Sequence, residues 1–295
     1  MQAFNFSFRK IISLTVVSFF IIKANAQLKA TESAEGIEIT DAGNKVLFYQ
    51  VKPKSVNGKY ERAGYVHPLY SMKGNVLTED SPEDHPYHRG IFWAWHQIVL
   101  NGKQIADGWT SDSISWRVAK TSIQQDANRI SILAEVIWNA QVSPGNKKDI
   151  VKENSIITVH KSPGTQRTID FDIKLAALVD SLKLGGSDDP KGYGGFCVRL
   201  KLPEDIQFSS SDTLITPQET AVTANQFMTM LGSFDGTSSP ISSVLIAVDP
   251  KRNINQQPWI LRSKTSMQNA MFPGRTPKLL TKEGWSLKYR VVVQE

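Results

Sequence analysis

A single cysteine, Cys197, serves the whole chain, so no disulfide can form within it. Stability must come from packing. Helical periodicity is nearly absent, and residues 217–230 are the one stretch that suggests a short helix. No cluster of lysine and arginine of the kind that grips nucleic acid occurs, which sets that partner aside. No Gly-x-Ser-x-Gly elbow offers a serine nucleophile. Cys197 lies in an apolar strand and reads as core. The glycine-rich run 185–195 leads into a strand, whereas a phosphate-binding loop needs a helix, so nucleotide chemistry is excluded as well.

Long apolar runs are also scarce. The one at residues 11–22 follows Arg9 and Lys10 and precedes Ala24-Asn25-Ala26, the pattern of an export signal cleaved before Gln27. It is short for a membrane span, and no later stretch approaches one. The sequence therefore predicts a signal peptide over 1–26 and a single domain over 27–295, periplasmic or secreted, with no membrane association after cleavage. Removing Arg9, Lys10 and Lys23 from the 34 basic residues leaves a net charge of +3 against 28 acidic ones, so much of the basic balance belongs to the leader.

What remains alternates with period two. Ile37, Ile39, Val46 and Phe48 flank Asp41-Ala42-Gly43-Asn44, a hairpin signal. Asn101-Gly102 and Pro144-Gly145-Asn146 mark further turns, while residues 53–62 read as an open polar loop. Ile169, Phe171, Ile173 and Leu175 share one face of a strand. Many short strands separated by turns predict an all-β domain, a large antiparallel sandwich of two sheets.

One stretch gathers the chemistry. Residues 84–96 hold three of the five histidines, His85, His88 and His96, with Arg89, Trp93 and Trp95. Pro86 and Gly90 make the first half a loop, and the second half is a strand. Alternation sends Phe92, Ala94 and His96 to one face and Trp93 and Trp95 to the other. Histidines beside an arginine suit proton transfer, with Arg89 keeping a neighbour neutral as a base. Tyr193 in the glycine-rich run and Glu153 on a strand are further acid or base candidates. Trp93, Trp95, Trp109 and Trp116 are candidate platforms for sugar rings, and Arg89 and Arg199 candidate partners for an acidic sugar's carboxylate. His85, His88 and His96 with Glu83 or Asp84 also form a possible zinc or copper set. The Arg89 guanidinium opposes a cation there, so the expectation is a site without metal or other cofactor.

His67-Pro68, Asp84-His85-Pro86-Tyr87-His88-Arg89-Gly90 and Lys191-Gly192-Tyr193-Gly194-Gly195 together resemble the secreted PmoA-like family, also called methane oxygenase PmoA, from roughly residue 35 onward. The family name implies methane oxidation, yet a particulate methane oxygenase subunit is an integral membrane protein. The chain is therefore read as no genuine methane oxygenase. The strand-rich C-terminal half also looks like the supersandwich of galactose mutarotases. No Asp or Glu lies between Asp249 and Glu283, where that likeness would put a carboxylate base. The resulting expectation is a cleft gathering His67, His85, His88, Arg89, His96 and Tyr193, with Trp93, Trp95 and Arg199 on the substrate. Its function would be acid–base chemistry on a glycosidic bond of a carbohydrate or other small polar substrate, as lyase or hydrolase. The alternatives are a non-catalytic glycan-binding or sensory module and a histidine-ligated metal enzyme.

Overall fold

The structure is a computed structural model that describes residues 28–234, 236, 242–249, 256–264 and 267–295. The signal-peptide reading of 1–26 lies outside these residues. Every strand pairing is antiparallel, and no helix occurs among the described residues. Two nine-stranded sheets form the sandwich. The first runs Leu28–Glu32, Gly36–Asp41, Asn44–Gln50, Tyr65–Leu69, Ile91–Trp95, Gly194–Arg199, Met267–Met271, Gln257–Ile260 and Val222–Ala224. The second runs Ile114–Gln125, Arg129–Ser143, Asn146–His160, Gln166–Ala177, Trp285–Gln294, Ser242–Val248, Phe227–Gly232, Gln207–Ser210 and Thr213–Leu214.

Alternation explains how the sheets meet. Ile169, Phe171, Ile173 and Leu175 point inward from the second sheet, and Trp93, Trp95, Phe196 and Val198 from the first. Phe196 stacks on Tyr289 across the layers at 4.3 Å between ring centroids and meets Phe171 edge-on at 5.1 Å. The other parity of the first sheet forms a smaller apolar cluster on its outer face. There Tyr65, Phe92, Ala94, Cys197 and Met267 pack under Trp109, with Tyr87 and Tyr193 against them. Cys197 is fully buried there and its thiol pKa is pushed up by that burial.

Two local expectations are corrected. Residues 217–230 hold no helix; Val222–Ala224 and Phe227–Gly232 are strands paired to different sheets. Residues 53–62 are not open loop, because Lys54–Val56 and Lys59–Arg62 pair as a small hairpin. Too short and polar to alternate, that hairpin is held by Arg89, whose guanidinium donates to the carbonyls of Lys54 and Tyr60.

Gly195 shows how tightly the first sheet is built beside the site. At φ +107 it adopts a conformation that side chains avoid, and a Cβ there would lie 2.6 Å from the Ala270 carbonyl oxygen. Gly195→Ala should lower stability by about 2–3 kcal/mol, read as a shifted denaturant midpoint at unchanged slope.

Candidate functional site

The outer face of the first sheet carries a cavity of about 270 Å³ walled by His85, Tyr87, His88, His96, Trp109 and Tyr193. Four separate segments bring these together. The loop before the Ile91–Trp95 strand is folded on itself by bonds from Ser81 N to His88 O and from His88 N to His85 O, which sets His85 and His88 side by side. Their imidazoles stack at 4.7 Å with planes 3° apart. His96 leaves the end of that strand in phase with Phe92 and Ala94, as alternation requires. A turn at 107–112, closed by reciprocal backbone bonds between Asp107 and Asp112, supplies Asp107 and Trp109. Tyr193 comes from the glycine-rich run.

Each histidine has its Nδ1 occupied, and the partner decides what its Nε2 offers. Arg199 Nη1 donates to His88 Nδ1 at 3.1 Å. A guanidinium only donates, so this nitrogen accepts and the proton of neutral His88 sits on Nε2. Burial first, then the charges of Arg199 and His85, lower the His88 pKa to about 3, which keeps the ring neutral. His88 is therefore an N–H donor, not a base. His85 Nδ1 lies 2.8 Å from Asp84 Oδ2 and His96 Nδ1 2.8 Å from Asp107 Oδ2. A carboxylate accepts, so both rings donate from Nδ1 and keep a lone pair on Nε2 when neutral. Burial opposes ionisation of Asp84, but Arg199, bonded to both its oxygens at 2.7 and 2.9 Å, and His85 outweigh it and pull its pKa to about 2. Asp107 is fixed from behind, its Oδ1 accepting from Trp109 N at 2.8 Å and Thr110 N at 3.1 Å. Trp109 stacks on His96 at 5.1 Å and lies 5.4 Å from Tyr193. Arg262 donates through both Nε and Nη2 to the Tyr193 phenol oxygen, leaving the O–H of Tyr193 to point elsewhere.

Of the candidates read from the sequence, His85, His88, His96, Trp109 and Tyr193 come together, whereas Arg89, Arg199, His67, Trp93, Trp95, Trp116 and Glu153 do not join them in the cavity. Arg89 is buried on the far side of its loop, paired with Asp80 at 3.1 Å and bonded to Ser81, because consecutive residues of an extended chain point oppositely. Arg199 takes over the place beside His88 but spends its donors on Glu79, Asp84 and His88, so it organises the histidines and has no wall on the cavity. His67 turns to the Thr78 hydroxyl at 3.0 Å, and burial lowers its pKa. Trp93 and Trp95 belong to the core between the sheets and cannot hold a sugar.

Glu153 is in that core as well. Its Oε2 accepts from the indoles of Trp93 and Trp138, each at 2.9 Å, and burial pushes its pKa up to about 7 against those bonds and the charge of Arg62. Arg62 is buried with it, its guanidinium 4.1 Å above the Trp116 ring. It donates to the carbonyls of Trp93 and Gly108, the latter at 3.0 Å, and so braces the turn that carries Asp107 and Trp109.

Two site residues, Asp107 and Arg262, escape a reading of the sequence. Among the described residues no group of three His, Cys, Asp or Glu side chains is placed to hold a metal ion. The parallel stacking of His85 and His88 explains this for the histidines, since lone pairs lying in parallel planes do not converge.

The model of a family of unknown function, DUF6807, matches residues 36–295, and the chain belongs to that family. No curated protein matches the chain. Similar solved structures include a heparan sulfate lyase HepC mutant from Pedobacter heparinus, with 8% identity and a TM-score of 0.38 over 92% of this chain and 36% of that one. Another is a heparinase III with methylated lysines, with 10% identity and a TM-score of 0.33 over 90% of this chain and 34% of that one. The chain thus spans about a third of the length of either.

Proposed function

We propose that this DUF6807 member is an exported enzyme that cleaves an acidic carbohydrate by β-elimination, with His96 as base and Tyr193 as acid. The observation that carries the reading is the pairing, in one cleft, of a carboxylate-backed imidazole with an arginine-held phenol. His96 Nε2 takes the proton next to the sugar's carboxylate, and the electron pair left on carbon forms a double bond as the bond to the glycosidic oxygen breaks. That oxygen leaves with the Tyr193 proton. His88, neutral with its N–H on Nε2, and Lys191 on the cleft wall are donors suited to the carboxylate as charge moves onto it.

Of the two reactions expected from the sequence, this favours the lyase. Hydrolysis by the usual pair needs two carboxyl groups free to act on the linkage. Here Asp84 and Asp107 serve histidines, and Asp189 Oδ1 accepts from the Ser187 hydroxyl and the amides of Lys191 and Gly192. A glycan-binding module has no need of three histidines with fixed tautomers, which argues for turnover.

Incubation with polygalacturonate, alginate and hyaluronan should release products with the ultraviolet absorbance of an unsaturated uronate. His96→Ala and Tyr193→Phe should lose that signal while keeping the fold. New reducing ends without the absorbance would mean hydrolysis, and binding without either product would mean a capture module.

A further inference from the structure

A second depression of about 360 Å³ adjoins the histidine cleft, and the two share Lys191 and Arg262 as walls. Arg262 is a fixed divider. Besides its two bonds to the Tyr193 phenol oxygen, it donates to the carbonyls of Gln218 and Leu261 at 2.7 Å and of Glu219 at 2.8 Å. All its N–H donors are then in use, and none is left for a ligand. The ridge therefore separates two pockets and sets the Tyr193 hydroxyl at their junction. The outer pocket also has cationic character. Lys191 and Lys264 form no ion pair among the described residues, and Glu219 is the one carboxylate residue on its wall.

We infer that the outer pocket is a second sugar subsite, so that the substrate is an anionic oligosaccharide whose scissile linkage crosses the Arg262 ridge over Tyr193. This rests on the elimination reading above and adds chain length and direction to it. The ring that loses its proton lies in the histidine cleft, and the ring that leaves lies in the outer pocket, with Lys264 on an anionic group of that ring or of the next. Proton donation at the junction follows from the placement of the two rings, because the oxygen joining them passes over the one phenol held there.

Calorimetric titration with galacturonate and its oligomers of two to four residues, and with hyaluronan oligosaccharides, tests the subsite apart from the reaction. In whichever series binds, affinity should rise about tenfold once a second ring is present, the gain of one charge-assisted contact. Lys264→Glu, at an exposed position, should abolish that gain and leave the affinity of the single ring unchanged. Glu219→Gln should increase it. Affinity that is flat with chain length, or a gain that survives Lys264→Glu, overturns the subsite while the single-ring reading stands. Absence of binding in both series at every length, together with no unsaturated product from alginate, overturns both.

Discussion

Glu153→Ala is expected to destabilise the protein by about 3–5 kcal/mol at neutral pH, the cost of removing one partner from a buried charged cluster. Two indole N–H groups would lose their acceptor, and Arg62 would keep its charge in the core with its nearest carboxylate gone. Burial already lowers the Arg62 pKa to about 10 with Glu153 present. Glu153→Gln keeps an oxygen for the indoles and should cost less, about 1–2 kcal/mol. The same residue gives the fold a pH dependence. Its pKa is raised to about 7 in the folded chain from 4.5, so the native state holds this proton more tightly than the unfolded one. The stability it contributes is fully present below pH 4.5 and is lost as pH rises through 7, in total about 3 kcal/mol. His88 acts in the opposite sense. Its pKa falls from 6.5 to about 3, so it leaves the fold stable above 6.5 and weakens it as pH drops toward 3. Urea midpoints of the wild type and of Glu153→Gln at about pH 5 and about pH 8 separate the two. From the lower to the higher pH, Glu153→Gln should gain stability through His88, while in the wild type the loss at Glu153 offsets that gain, and equal changes in the two proteins would dismiss Glu153 as the titrating group.

The burial of Glu153 was legible in the sequence, though its chemistry was not. It lies in phase with Val151, Ile157 and Val159, all buried, while Lys152, Asn154 and Ile156 of the other parity face outward. Parity alone places it inside, and a charged residue inside calls for partners. Those partners come from Trp138 on the adjoining strand and from Trp93 across the sandwich, and only the stacking of the sheets brings Trp93 near. The same limit divides the rest of the site. His96 could be placed from the two-residue repeat of its own strand, and His85 and His88 from the loop before it. The exchange of Arg89 for Arg199 could not be foreseen, because Arg199 reaches His88 from a strand 111 residues further on. Alternation does put Arg199 on the Cys197 face of that strand, which became the site's face once pairing with Ile91–Trp95 was set. Arg262 and Asp107 sit at turns, where no periodicity operates.

Asp107→Asn is expected to lower turnover by about 10³–10⁴-fold with little change in stability, through the tautomer of His96. The two carboxylate oxygens of Asp107 have different duties. Oδ1 accepts from the backbone amides of Trp109 and Thr110, and Oδ2 faces His96 Nδ1. An asparagine must keep its single oxygen on the two amides, since an NH₂ group there would oppose two N–H donors. Its NH₂ then faces His96 and donates to Nδ1. The imidazole proton moves to Nε2, and the cleft meets an N–H where it needs a lone pair. The substitution is nearly isosteric and leaves the Arg62 brace on Gly108 and the stacking of Trp109 untouched, so ligand affinity should change little. Nitrogen chemical shifts of the His96 ring supply a readout independent of activity. The wild-type ring, when neutral, should carry its proton on Nδ1 and the variant ring on Nε2. A ring switched to the Nε2 proton with full turnover would remove His96 from the role of base and leave His85, the other ring donating from Nδ1 to a carboxylate, as the group to test.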